Sequence, residues 1–172
     1  MLCFLGTTIE IKACSPAHIP FREWFNRYNP DDYIVIEGHF LAATESYYAS
    51  KLIVTRSSHS SIKVGQEYEV FEYGPFGSMC EMYEMGSAIK PDLVGKENPR
   101  LLIVYKSRSI NGKLVTPIFL EEGVNASNNK IVSREYDNVS RQYVLYECLT
   151  PLDTIWERLL EGTIKTLEWE TL

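Results

Sequence analysis

No stretch of the chain approaches the roughly 18 consecutive apolar residues of a membrane-spanning helix, so no transmembrane segment is expected. Lysine and arginine never gather into a run, and 17 basic against 23 acidic residues leave a net charge of −6. Such a surface repels a phosphate backbone, which argues against nucleic acid as the main partner. Cysteine is scarce: Cys3, Cys14, Cys80 and Cys148 are the only four, and no two have the C-x-x-C spacing of a zinc or redox site. Histidine is scarcer still. His18, His39 and His59 form no H-x-x-x-H or H-E-x-x-H pattern, and none precedes a nucleophile motif. Nothing in the spacing brings Cys80 to His39 as nucleophile and base, and His39 reads as a packed or hydrogen-bonded residue at a strand end. "GPFG" lacks the spacing, lysine and following helix of a phosphate loop, and Glu121 and Glu122 read as a solvated loop. With no catalytic constellation and no cofactor motif, the chain is expected not to be an enzyme and to carry no cofactor.

What is present is an ordinary globular composition, 45% hydrophobic and 23% charged over 172 residues, enough for one domain with a proper core. Tyrosine is frequent, with 11 copies, and favours strands and half-buried surfaces. "FREWFNRYN" places Phe21, Trp24, Phe25 and Tyr28 at helical spacing after Pro20, and Asn29-Pro30 ends the helix. "DYIVIEGHFLAA", "YYASKLIVTRSS" and "SSIKVGQEYEVFEYG" read as three strands. "GPFGSMCEMYEMG" reads as a glycine-bounded loop carrying Cys80, and "AIKPDLVGKENP" as irregular. In "PRLLIVYKSRSINGKLVTPIFL" two apolar runs flank Asn111-Gly112, which predicts a β-hairpin with a type I′ turn. "EEGVNASNNK" reads as a loop and "YVLYECL" as a last strand. "TPLDTIWERLLEGTIKTLEW" predicts a helix with Thr150 as N-cap, Pro151 at its first position and Asp153 in its first turn. Ile155, Leu159 and Leu160 share one face of that helix, with Trp156 near its edge.

The N-terminus supports two readings. "MLCFLGTTIEIKA" has an apolar start and a small residue before Cys14, like the remnant of a signal peptide over residues 1–13. A charged n-region is missing, and Glu10 and Lys12 sit close to the cleavage point. The same residues contain "TTIEIKA", whose alternation suits a first strand. Cleavage would leave three cysteines, hence one disulfide and one free thiol, in a secreted or periplasmic protein. A lipid anchor at Cys14, as in an outer-membrane lipoprotein, is a lesser variant because Lys12 fits a lipobox poorly. Without cleavage the protein is cytoplasmic and its thiols stay reduced. Export is the expectation carried forward, with residues 14–172 as a single domain that includes the C-terminal helix from about residue 151.

Several motifs in order suggest a family. "CSPAHIP", the helix from Phe21 to Tyr28, "YIVIEGHF", "SIKVGQEYEVFEYGPFGSMCE", "PRLLIVYKSRSINGKLV" and "ECLTPLDTIW" together resemble the tissue inhibitors of metalloproteinases, whose netrin-like module is an OB-type barrel. The likeness spans residues 14 to about 157. It implies an all-β fold: an antiparallel OB-type Greek-key barrel of five to six strands with a short N-terminal helix and a C-terminal helix. The family's opening carries two cysteines one residue apart, and here there is one; the stretch before Cys148 is also longer. If Cys14 stands for the first family cysteine its disulfide partner is Cys80, the pairing favoured here; if for the second, the partner is Cys148.

The resemblance implies inhibition of a zinc metalloprotease. The amine and carbonyl of Cys14 would chelate the target's zinc, Ser15 would enter the specificity pocket and Pro16 would stiffen the wedge, with no metal intrinsic to the chain. A free amine at Cys14 requires cleavage before it. The broader expectation is a non-catalytic module that binds a protein or glycan, to which Tyr47, Tyr48, Tyr73, Phe76 and Tyr83 could contribute a surface. The alternative is a cytosolic β-barrel interaction or immunity-type protein with reduced cysteines. Two N-x-S sequons, at Asn125 and Asn138, fall in segments read as loops.

Overall fold

A computed structural model describes residues 20–42, 50–76, 81–86, 89–118, 120, 124–137 and 139–172, with the backbone alone described at 75, 76 and 81–83. It is mainly antiparallel β. The strands are β1 (Tyr33–Phe40), β2 (Ser50–Ser57), β3 (Glu67–Phe76), β4 (Glu81–Gly86), β5 (Arg100–Tyr105), β6 (Lys113–Thr116), β7 (Val124–Ser127), β8 (Lys130–Asp137), β9 (Gln142–Cys148) and β10 (Trp169–Thr171). Helix α1 is Phe21–Asn26 and α2 is Leu152–Leu160. The ten strands among the described residues join one sheet in the order β10-β9-β8-β7-β5-β1-β2-β3-β4, and β6 pairs in parallel with β3. No helix among the described residues is long and apolar enough to cross a membrane.

β1 and β5 are apolar on both faces because each face meets a different core. Ile34, Ile36 and Phe40 of β1 join Leu102 and Val104 of β5, Leu52 and Val54 of β2, Tyr68 and Val70 of β3 and Leu114 of β6 in one buried cluster. The intervening Val35, Leu101 and Ile103 point the other way, onto Phe21 and Phe25 of α1, Ile155 and Trp156 of α2, and Val124, Ala126 and Ile131 of β7 and β8. Period-two alternation thus makes β1 and β5 a shared wall. Gly38 lets β1 bend there: a bulge falls between Glu37 and Gly38, and a Cβ on Gly38 would lie 2.4 Å from the Ile53 carbonyl oxygen of β2.

The chain has more strands than the five or six expected, and the reasons are local. Glu81–Gly86, read as loop, pairs with Phe71–Phe76. Val124–Ser127, also read as loop, forms a hairpin with β8 through Asn128 and Asn129, at φ 53° and 60°. Asparagine tolerates this left-handed conformation, so Asn-Asn makes the tight turn that Asn-Gly usually signals. Asn125 therefore lies in a strand; Asn138 lies outside the described residues.

The Asn111-Gly112 turn forms as expected, with φ 53° and 79° and Lys113 N–H donating to the Ile110 carbonyl at 3.0 Å. It does not close a hairpin. Ser109 N–H folds back to the Tyr105 carbonyl at 2.9 Å, and the Ser109 hydroxyl accepts from Val115 N–H at 3.0 Å. That side chain takes a donor of β6 that a β5 ladder would use, and β6 pairs with β3 instead. β5 and β6 still lie alongside each other.

Helix α2 is shorter than expected. It starts after Pro151, which stands at the N-cap and supplies no side-chain cap, and Thr150 does not take that role. Asn129 caps the helix from outside: its carbonyl accepts from Leu152 N–H at 3.0 Å and its Oδ1 from Asp153 N–H at 2.8 Å. Gly162, at φ 68°, follows the helix end, and Trp169–Thr171 pairs with β9 rather than continuing as helix. Leu152, Ile155, Trp156 and Leu159 are buried, whereas Leu160, expected on the buried face, is 69% exposed.

Candidate functional site

Cys14, Ser15, Pro16 and Cys80 lie outside the described residues, as do Tyr47 and Tyr48 and the side chains of Phe76 and Tyr83. Cys148 ends β9 as a buried, free thiol. It borders a cavity of about 310 Å³ together with Lys130, Glu147, Leu149 and the Asn128–Asn129 turn. Burial pushes the thiol pKa up, against hydrogen bonding at Thr150, so Cys148 is protonated and a poor nucleophile at neutral pH. His39 is buried in β1, and the His59 ring bonds to Ser61 Oγ at 2.8 Å. Among the described residues no group of three or more His, Cys, Asp or Glu side chains could hold a metal ion.

The surface that stands out is aromatic. Tyr33 opens β1, Tyr105 closes β5, and the register sets the two side by side, with ring centroids 5.3 Å apart. Trp24 of α1 meets Tyr33 at 5.4 Å, and Tyr73 of β3 meets Tyr105 at 5.5 Å, both edge to face. Four rings therefore run in unbroken contact from α1 across β1 and β5 to β3. Arg108, in the loop between β5 and β6, closes the strip: its guanidinium lies 4.0 Å from the Tyr73 ring centre, and Nη2 donates to the Tyr73 hydroxyl at 2.9 Å. Glu84 of β4 accepts from Arg108 at 3.4 Å and also pairs with Lys113. None of these rings is fully buried.

Tyr33 and Tyr105 are neutral at physiological pH, both held above the ordinary phenol range. Burial first, then the neighbouring phenols Tyr33 and Tyr73, push Tyr105 up to about 12 against the lowering charge of Arg108. Burial, and then Asp32, raise Tyr33 as well. The strip thus offers hydroxyl donors, apolar ring faces and one guanidinium. Of its members only Tyr73 was a candidate from sequence. Tyr33 and Tyr105 each flank a strand identified from sequence, but their adjacency depends on the β1–β5 register. Arg108 was concealed in what reads as a hairpin strand.

No protein-family model, no curated protein and no solved structure matches this chain.

Proposed function

We propose that the chain is a non-catalytic protein-binding module whose contact surface is the strip Trp24, Tyr33, Tyr105, Tyr73 and Arg108. The observation that carries this is the run of four touching, half-buried rings ending in a stacked guanidinium. Trp, Tyr and Arg are the residues that dominate the energetics of protein interfaces, since they present large rigid area together with a polar tip. Neighbouring rings meet at interplanar angles of 39° to 82°. Such a faceted relief suits protein side chains better than the flat platform on which a sugar ring stacks.

The strand order also supports an OB-type circuit. β1, β2, β3, β6 and β5 follow one another round the cluster of Ile34, Leu52, Val70, Leu114 and Leu102, with β3 and β6 parallel and β5 beside both β6 and β1. β4 and β7 to β10 are then additions to that circuit. Proteins of this architecture bind oligonucleotides and oligosaccharides on strands two and three and on the loops after strands one and four, so those positions form an exposed contact face. Here the loop after the fourth strand of the circuit holds Arg108.

Export and inhibition of a zinc metalloprotease through Cys14 are the narrower form of the same proposal. Intact mass from an exporting host tests it: loss of residues 1–13 is required, and an uncleaved chain ends the inhibitory form. For the binding surface, Arg108→Ala and Tyr73→Ala are compared with Lys63→Ala, which alters an exposed residue of the β2–β3 loop. A partner held by the parent chain and by Lys63→Ala is lost from folded Arg108→Ala. Equal retention by all three variants contradicts the assignment.

A further inference from the structure

Arg100 opens β5 on the face that carries Leu102 and Val104 into the buried cluster, yet it is a cation and only 5% exposed. It stands opposite Asn125 of β7, and Val132 of β8 continues the same cross-strand row. Each member of the Arg100–Asn125 pair has an orphaned atom: Arg100 Nε and Asn125 Oδ1 are buried and have no hydrogen-bond partner among the described residues. A buried polar group without a partner costs free energy, and a guanidinium cannot shed its proton to avoid that cost. Arg134 lies two residues beyond Val132 on β8, hence on the same face. Its guanidinium sits 4.0 Å from the Tyr143 ring centre, and neither arginine forms an ion pair among the described residues. Burial holds Arg100 down to about 10, Arg134 acts in the same direction, and Asp92, an exposed residue, opposes them only in part.

We propose that Arg100, Arg134 and Asn125 form a binding site for an oxyanion, a carboxylate or phosphate group held at the start of β5. The orphaned Nε of Arg100 would donate to one oxygen and the Arg134 guanidinium to another, the charge-assisted pairing for which arginine is suited. A half-turn of the Asn125 amide exchanges its oxygen for its nitrogen and puts a third donor at the same place. This face is separate from the aromatic strip.

Thermal unfolding of the full chain at pH 7, in chloride, acetate or phosphate at matched ionic strength, tests the site. Phosphate should raise the midpoint above that in chloride, and the concentration needed should rise about tenfold or more in Arg134→Gln. A rise in acetate as well assigns a site open to carboxylates; a rise in phosphate alone assigns a phosphate site. Asn125→Asp places a resident carboxylate beside Arg100, so it should raise the midpoint in chloride and abolish the anion response. No anion response in the parent chain, a response unchanged in both variants, or a lower midpoint for Asn125→Asp in chloride would each overturn the proposal.

Discussion

The indole N–H of Trp156 donates to Glu37 Oε2 at 3.0 Å, tying the buried face of α2 to the point where β1 bends. Arg56 of β2 lies 3.8 Å from the same carboxylate and 3.1 Å from Asp153 at the start of α2, with its guanidinium 5.1 Å from the Trp156 ring. One acidic residue thus anchors a helix to two strands.

Burial raises the Glu37 pKa, the Trp156 hydrogen bond and Arg56 lower it less, and Asp153 raises it again. A carboxyl raised in the folded state favours folding when protonated, and that contribution is lost as pH rises through the folded pKa. Glu37→Gln keeps an acceptor for Trp156 and removes the charge. Its midpoint relative to the parent should therefore improve as pH rises from below to above the carboxylate range, as read by unfolding at several pH values. Glu37→Ala leaves the indole N–H unpaired and should cost about 1–3 kcal/mol at every pH.

Gly38→Ala should destabilise by about 1–3 kcal/mol in denaturant titration, because its Cβ meets backbone rather than a movable side chain. A neutral result would mean that β1 and β2 separate more easily at the bulge than their register implies.

Arg22 grips Glu135 through Nε at 3.0 Å and Nη2 at 2.9 Å, while Ser133 Oγ donates to the same carboxylate at 2.8 Å. Glu135 is buried, and the guanidinium also covers Tyr146 at 3.6 Å. Arg22→Ala strands that carboxylate and should cost about 3 kcal/mol. Adding Glu135→Leu should restore most of the loss, so a double-mutant cycle in urea checks the coupling.

Asn129 serves two purposes, and substitution separates them. Asn129→Gly keeps the positive φ but removes the Oδ1 cap on Asp153 N–H, for an expected loss of only about a few tenths of a kcal/mol. Asn129→Ala removes the cap and strains the turn, and should unfold at lower denaturant than the glycine variant.

Legibility from sequence followed burial. β1 and β5 announce themselves as continuous apolar runs because both of their faces are covered, and α1 and the start of α2 do so through helical spacing. β4 and β7 were concealed by composition: Gly and Met around Cys80, and polar residues around Asn128-Asn129, read as loops although cross-strand pairing makes them strands. β10 hides within a pattern that continues the helix, since nothing before Gly162 signals that the chain turns back to β9. The binding strip was the least legible part. Tyrosine abundance pointed to half-buried surfaces, but only the register of β1 against β5 shows that Tyr33 and Tyr105 touch. Arg108 gains its place from the turn at Ser109, a hydrogen-bond pattern with no compositional mark.

The most direct test of the binding surface is a photo-crosslinking amino acid at Ile110, which is 57% exposed in the loop that carries Arg108, compared with the same group at Val64, 62% exposed in the β2–β3 loop. In the native host, irradiation should join Ile110 to one defined protein, Val64 to none of it, and Arg108→Ala should erase the Ile110 adduct. Crosslinks to that protein from Val64 as readily as from Ile110, or an Ile110 adduct that survives Arg108→Ala, would contradict the assignment of this strip as the binding surface.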